Sequence, residues 1–208
     1  MATHAALTPR LRLVRLRPET PFPYRAGQFL SVEVAPCKRR AYSFAGDPGS
    51  ELVDLLVDVA PGGDGSRFVE GLSTGDAILA YGPQGGFVLP RPLAPVTVAV
   101  GVDVGAAPIR SMAHEAARRA EGGGLRAFLV WQDLEAIPSG EPFDFPGPPS
   151  VEPIHLQADP GGVWLARIAA LCPAAAFLCG ERKALARLEE ALCAAGVDAD
   201  RISTEVFY

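Results

Sequence analysis

The sequence predicts two domains, an antiparallel β-barrel followed by an α/β domain with a parallel sheet. In the first half, short β-rich runs are separated by Gly, Pro and Asp turns. In the second half, strand-like and helical runs alternate, and a proline-stiffened connector at 89–95 lies between the two halves. A chain of 208 residues is long enough for two small domains. We therefore expect domains at 1–94 and 95–208.

The strands of the first domain are predicted in order along the chain at 11–17, 28–34, 39–44, 51–59 and 76–81. The second domain is predicted to contain a strand at 96–101, a helix at 108–120, a strand at 125–131, a helix–strand pair at 162–171 and 174–179, a helix at 181–195 and a final strand at 201–207. Such alternation implies a parallel sheet with helices on its faces. The segment 140–149 is predicted to be a proline-rich loop.

Composition excludes several classes of function. The net charge of -5 argues against a nucleic-acid partner, because phosphate binding needs clustered Lys and Arg. There is no signal peptide and no apolar run near 18 residues, so we expect a cytoplasmic protein without a membrane span. The four cysteines form no C-x-x-C pair and the three histidines are scattered, so no metal site is expected.

Three segments indicate a flavin site. They are Arg40-Ala41-Tyr42-Ser43, the glycine run at 62–66, and the Gly-Pro-Gln-Gly-Gly-Phe run at 82–87. A flavin has a planar apolar ring and an anionic pyrophosphate, so its host needs an aromatic face and donors or positive charge. On a strand, Arg40 and Tyr42 would share one face, with Ala41 and Ser43 on the other. Tyr42 would then lie along the ring and Arg40 would reach the phosphates.

The glycine run is predicted to lead into a short helix at 67–72. Gly63, Gly65 and Ser66 would place free backbone N–H groups toward the pyrophosphate, with Ser66 as both helix cap and ligand. Each feature also has an ordinary structural explanation. Tyr42 suits a barrel wall, Arg40 a surface ion pair, and the glycines a simple turn. The three segments together favour the flavin interpretation.

In their order and spacing, these segments resemble the ferredoxin-NADP reductase superfamily, whose first motif reads R-x-Y-[ST]. The resemblance covers nearly the whole chain and lies near bacterial oxygenase reductases. It implies an FAD-binding β-barrel flavin domain followed by a Rossmann-like nucleotide domain that takes NAD(P)H. The helix start at 108–112, the Cys-Gly pair at 179–180 and the acidic and aromatic terminus at 205–208 match the family's second half.

The resemblance also implies site roles. Ser43, Cys179 and Glu205 would surround the flavin atom that exchanges hydride, and Tyr208 would stack on the flavin face opposite Tyr42. None of the first three needs to act as a covalent nucleophile. Cys179 is otherwise explained as a buried strand cysteine, Glu205 as an exposed terminal carboxylate, and Tyr208 as packing at the sheet edge.

The nucleotide loop departs from the family's G-G-T-G-I-A-P. Gly105 and Pro108 are kept as candidate cofactor-binding residues, but two other glycine positions are lost, and Asp103 places a carboxylate where an anion is expected. Asp103 could instead rotate away, pair with Arg110, take up a proton, or cap the following helix. After the strand at 125–131 the family's arginine is replaced, and Asp133 could accept from a ribose hydroxyl, which favours NADH slightly over NADPH.

Three functions remain open at this point. The first is a flavin-dependent NAD(P)H oxidoreductase that passes electrons to a separate iron-sulfur or other acceptor protein. The second is an FAD-bearing electron-transfer subunit that docks on a partner enzyme and does not use NAD(P)H efficiently. Its loop at 105–108 resembles the electron-transfer subunit of dihydroorotate dehydrogenase, although the carboxyl-terminal cysteine cluster of that subunit is missing. The third is a member that has lost flavin and survives as a binding module.

Overall fold

The computed structural model describes residues 2–121, 124–132, 149–158 and 162–207. Its strands are β1 (Ala2–Ala6), β2 (Leu11–Leu16), β3 (Phe29–Ala35), β4 (Lys38–Ser43), β5 (Val53–Asp58), β6 (Ala80–Gln84), β7 (Thr97–Val102), β8 (Leu125–Trp131), β9 (Ser150–His155), β10 (Ala175–Glu181) and β11 (Ile202–Phe207). Its helices are α1 (Asp64–Glu70), α2 (Ala106–Arg118), α3 (Val163–Ala169) and α4 (Arg182–Ala194). None of these helices is long and apolar enough to cross a membrane.

The first half folds into two antiparallel three-stranded sheets, with orders β1-β2-β5 and β4-β3-β6. A bridge between Phe44 and Leu55 joins them. Burial alternates strictly along β3, as expected of a strand with one face on a core. Phe44 is fully buried in that core and stacks on Tyr24, with ring centroids 4.0 Å apart. The predicted antiparallel β domain is confirmed.

The second half is a parallel sheet of order β11-β10-β7-β8-β9. All six residues of β7, the central strand, are buried, which is typical of a parallel strand covered on both faces. Helix α2 packs on one face, while α3 and α4 share a separate apolar core on the other. The predicted Rossmann-like α/β arrangement is confirmed, and it brings the carboxyl ends of β7 and β10 together at one edge.

Helix α2 is also the surface on which the two halves meet. Its buried Ile109 and Met112 belong to the same core as Leu56 and Leu89 of the first half. Glu115, only 1% exposed, accepts a hydrogen bond from the backbone N–H of Ala26 at 2.8 Å. These apolar and polar contacts hold the β sheets against the parallel sheet, so a cavity between them has fixed walls. The boundary at 94/95 stays a prediction.

Several predicted elements differ from the structure. The strand predicted at 76–81 corresponds to β6, which begins later, at Ala80. Within 76–79 the one backbone hydrogen bond to β3 is the one that the Leu79 carbonyl accepts from Glu33. Strands β1 and β9 were not predicted. β1 has the weak β-former sequence Ala-Thr-His-Ala-Ala, and β9 contains Pro153, which suits an edge position where no further ladder bond is needed. The predicted loop lies outside the described residues over 140–148.

Candidate functional site

A cavity of about 460 Å³ lies between the two halves of the chain. Its walls come from β4, the end of β5, the start of α1 and the carboxyl edge of the parallel sheet. The lining residues are Arg10, Arg40, Ala41, Tyr42, Ser43, Leu56, Val57, Asp58, Pro61, Gly63, Gly65, Ser66, Val102, Asp103, Val104, Ala107, Gln132, Gly180, Glu181 and Phe207. Clefts between domains are common places for cofactors, so this cavity is the candidate site.

Strand β4 contributes Arg40, Ala41, Tyr42 and Ser43, and all four line the cavity. All four are candidate site residues in the sequence. Strand β4 is an edge strand, with β3 as its single neighbour in the sheet, so the cavity can reach it from the open side. Ser43 is 5% exposed, whereas Arg40 is exposed to solvent.

Gly65 brings the first two sequence motifs together. A Cβ atom built on Gly65 would lie 2.5 Å from the Tyr42 hydroxyl oxygen and 3.3 Å from Arg40 Cγ. A side chain at this position would therefore push both residues away, and the missing side chain keeps open a cradle beside a cation and an aromatic ring. The predicted proximity of the Arg-Ala-Tyr-Ser strand and the glycine run agrees with this geometry.

The start of α1 corrects the expectation for Ser66. The helix begins at Asp64 with Gly63 in the capping position, so Ser66 lies within the first turn and is not a cap. Asp64 favours this earlier start, since an acidic residue is stabilised in a first helical turn. Hydrogen bonds from Lys38 and Arg67 hold the pKa of Asp64 below its usual value. The Lys38 bond at 2.8 Å ties α1 to β4.

Asp103 lines the sheet side of the cavity. Its φ of 50° is left-handed. The backbone N–H of Gln132 and its side-chain Nε2 donate to the two carboxylate oxygens of Asp103, at 3.0 and 2.9 Å. The alternative that Asp103 caps α2 is wrong, because Gly105 holds that position without a side-chain cap. Pairing with Arg110 is also wrong, since Arg110 donates to the Ala45 carbonyl and lies 3.9 Å from Asp54.

Cys179 and Glu205 lie side by side on β10 and β11, where they are directly paired in the parallel register. Cys179 is fully buried, and burial together with the nearby Glu205 carboxylate raises the pKa of its thiol well above the usual value. The thiol is therefore protonated and is not an activated nucleophile. Neither residue is part of the cavity lining, but Gly180 and Phe207, which follow them on the same strands, are.

Glu205 has a carboxylate oxygen, Oε2, that is buried without a hydrogen-bond partner. Burial raises the pKa of this carboxyl above its usual value. Its ionised form therefore costs stability, and that cost grows as the pH rises through the raised pKa. We expect Glu205→Gln to raise the melting temperature at neutral pH, and to lose this advantage at a pH below the ordinary glutamate value, where the wild-type carboxyl is protonated.

The control for this prediction is Glu190→Gln on the exposed side of α4. Thermal unfolding followed by circular dichroism from acid to neutral pH measures both variants. An advantage for Glu205→Gln that does not change with pH, or one matched by Glu190→Gln, would contradict the burial argument.

The remaining predicted site residues are placed as follows. Gly105 and Pro108 are buried at the start of α2 and do not line the cavity. Asp133 and Tyr208 lie outside the described residues. Sequence reasoning missed Arg10, Asp58, Gln132, Glu181 and Phe207 as lining residues. Gln132 and Glu181 follow or end parallel strands, and the rule that ligands bind at the carboxyl edge of such sheets would have found them.

The lining suits a flavin cofactor. Arg40 supplies positive charge on the β-sheet side, where Arg10 is paired with Asp58, and Tyr42 supplies an aromatic surface beside the cradle at Gly65. Leu56 and Val57 give the same wall an apolar floor. An anionic diphosphate and a planar apolar ring are what such a surface can bind. The opposite wall, formed by the parallel sheet, has the carboxylates of Asp103 and Glu181. Their negative charge makes this wall a poor surface for further phosphate groups.

Comparison with known proteins agrees with this site. Residues 3–89 match the oxidoreductase FAD-binding domain family. The chain is 31% identical over 107 residues to the ferredoxin–NAD(P)(+) reductase component of the naphthalene 1,2-dioxygenase/salicylate 5-hydroxylase systems of a Ralstonia species, covering 51% of this chain and 33% of the relative. It is 32% identical over 126 residues to ferredoxin–NADP reductase B of Sorangium cellulosum, covering 51% of each.

Solved structures extend the likeness to the second half. The cytochrome P450 reductase GcoB of Amycolatopsis superposes with a TM-score of 0.77 at 22% identity, covering 99% of this chain and 67% of that one. Phthalate dioxygenase reductase superposes with a TM-score of 0.80 at 22% identity, and the match covers 99% of this chain and 66% of that one. At this identity the structures show the fold. The chain spans about a third to a half of the curated relatives named above. The resemblance predicted from the sequence is confirmed for the FAD-binding domain and for the fold.

Proposed function

We propose that this chain of the ferredoxin-NADP reductase superfamily binds FAD in the cavity between its two halves, takes hydride from NAD(P)H and passes electrons to a separate acceptor protein or small acceptor. The observation that carries the proposal is the cavity itself. It gathers the Arg-Ala-Tyr-Ser strand, the glycine cradle and the carboxyl edge of a parallel sheet in one place. The matched FAD-binding family over 3–89 covers the strands that form one wall.

The residues would divide the work as follows. FAD, when bound, would supply the chemistry of hydride transfer and of single-electron transfer. Arg40 would hold its phosphates and Tyr42 would lie against its ring, while Ser43, buried at the inner end of β4, would hydrogen-bond at the ring edge. Gly63, Gly65 and Ser66 would let the backbone approach the diphosphate. Cys179 would be a small contact for the nicotinamide ring. Glu205 would orient Ser43 or the carboxamide of the nicotinamide.

The first test is the colour of the purified protein. We expect it to purify yellow with noncovalent FAD, and to lose its visible flavin absorbance when NADH is added without oxygen, because both cofactors reach the same cavity. An absorbance spectrum before and after anaerobic NADH measures both properties. Colourless protein that cannot be reconstituted with excess FAD or FMN would contradict the proposal.

One observation favours a second candidate function. Asp103 and Glu181 give the sheet side of the cavity two carboxylates, where a second nucleotide would place its phosphates. A chain with such a wall could instead be an FAD-bearing electron-transfer subunit that docks on a partner enzyme and uses NAD(P)H poorly. The same spectrum distinguishes the two functions, since the subunit would be yellow, reducible by dithionite and not reduced by NADH.

Three finer points belong to the proposal. A preference for NADH over NADPH is supported by the missing arginine after β8, where Trp131 is followed by Gln132. The domain boundary at 94/95 is supported by the end of the family match at 89 and the start of β7 at Thr97. A separate acceptor protein, iron-sulfur or other, is supported by relatives whose names describe reductase components of dioxygenase systems.

A further inference from the structure

Resting on the proposed function, we infer that the Asp103–Gln132 pair excludes the diphosphate of a pyridine dinucleotide from the turn between β7 and α2. The chain then binds NADH by its nicotinamide half, and the adenosine diphosphate half contributes little. The inference concerns which part of the reductant the site recognises. It therefore goes beyond the assignment of FAD and NAD(P)H as cofactors.

The position of the Asp103 carboxylate is fixed. Both of its oxygens accept hydrogen bonds from Gln132, at 3.0 and 2.9 Å, so it cannot turn out of the cavity without breaking both. Arg110, the cation considered as its partner, is engaged by the Ala45 carbonyl and by Asp54. The pair thus holds a carboxylate at the carboxyl edge of β7 and β8, in the turn that leads into α2, where a parallel sheet of this type ordinarily binds a diphosphate.

The next turn at this edge is also occupied by a carboxylate. Glu181 lines the cavity, and its two oxygens accept the backbone N–H groups of Lys183 at 2.9 Å and Ala184 at 3.0 Å. The chain's own side chain thereby satisfies the free donors that begin α4. In the part of the chain that the structure describes, no Lys or Arg of the second half lines the cavity, and the lining cations Arg10 and Arg40 belong to the first half.

The carboxyl end of β10 packs closely against β7 and against the turn after it. A Cβ on Gly105 would lie 2.1 Å from the Cys179 carbonyl oxygen, and one on Gly180 would lie 2.6 Å from the Val102 carbonyl oxygen. The carboxyl end of β10 is therefore in direct backbone contact with β7 and with the turn that leads into α2. A diphosphate at this edge would lie on the cavity side of these backbones, which Asp103 lines. A carboxylate about 5 Å from a phosphate charge lowers affinity on the order of 100-fold at an effective dielectric constant near 20.

The experiment compares two reductants on the FAD-loaded protein under anaerobic stopped flow. NADH carries the diphosphate, whereas 1-benzyl-1,4-dihydronicotinamide carries the same reducing ring and no phosphate. The variants are Asp103→Asn, which removes the charge and tolerates a left-handed φ, and Asp103→Gly, which removes the side chain. The control is Glu51→Gln, which removes one charge from a side chain 92% exposed and outside the cavity lining.

We expect the wild type to require high NADH concentrations. Both Asp103 variants should lower the half-saturating NADH concentration by about tenfold or more, because the repulsion is gone. The rate with the phosphate-free reductant should change less than about twofold in every variant, since it has no charge for Asp103 to repel. Glu51→Gln should behave as wild type with both reductants.

Three outcomes would overturn the inference. Wild type that saturates at micromolar NADH and is unchanged in Asp103→Asn would show that the carboxylate does not repel the ligand. Improvement in Asp103→Gly alone would assign the effect to bulk and not to charge. If the Asp103 variants reacted faster with both reductants to the same extent, the substitution would act on the flavin and not on the diphosphate of NADH. Failure of the proposed function gives a different result, protein that binds no FAD or whose FAD neither reductant reduces.

Discussion

Arg40→Ala is expected to weaken FAD binding about 10- to 100-fold, equivalent to about 1.5 to 3 kcal/mol for a lost charge-assisted phosphate contact. The Arg40 side chain is exposed, lines the cavity and lies against the Gly65 cradle. One of its guanidinium nitrogens donates to the neighbouring Arg39 carbonyl at 2.9 Å, which holds the side chain along the strand. Little has to be rearranged for the guanidinium to meet a phosphate, so its removal should affect affinity more than folding.

Arg39→Ala is the matched control. Arg39 adjoins Arg40 on β4, but its guanidinium lies 3.8 Å from the centre of the Tyr81 ring and does not line the cavity. Titration of apoprotein with FAD, followed by quenching of flavin fluorescence, gives the affinity of each variant. Equal affinities for the two variants would mean that general positive charge on β4, and not a contact from Arg40, attracts the cofactor.

The features predicted well from the sequence are those that short segments determine. The alternation of strands and helices after Val96 required a parallel sheet, and the structure has one. The glycine run was assigned to the same flavin as Arg40 and Tyr42, and a Cβ on Gly65 would meet both of these side chains. Helix α1 was placed three residues late because a serine after glycines was taken as a cap, while Gly63 holds that position.

The features that were missed depend on contacts between distant segments. The sequence identified Asp103 as a charge in the wrong place, but its bonding partner Gln132 is 29 residues away and carries no local signal. Strand β9 contains Pro153, a residue uncommon within strands, and only the order of the parallel sheet shows that β9 is at an edge, where proline is tolerated.

Gly105→Ala is expected to destabilise the protein by about 3 kcal/mol, a value at the upper end for an overpacked site. The added methyl group would lie 2.1 Å from the Cys179 carbonyl oxygen and 2.6 Å from its carbonyl carbon, which are backbone atoms of a buried strand. Neither strand can withdraw without disturbing the sheet, because β7 and β10 are paired in register up to Gly101 and Cys179. The cost arises from close packing, since Gly105 has an ordinary helical φ of -59°.

Gly86→Ala is the control for this substitution, because a Cβ there would meet nothing within 4 Å and its φ is not left-handed. Urea unfolding of the two variants, each with and without saturating FAD, measures the change in the free energy of unfolding. We expect Gly105→Ala to lose stability in both states and Gly86→Ala to stay within about 0.5 kcal/mol of wild type. If Gly105→Ala kept its stability but lost affinity for NADH, Gly105 would be a nucleotide-binding residue, as the resemblance implied, and the packing explanation would be wrong.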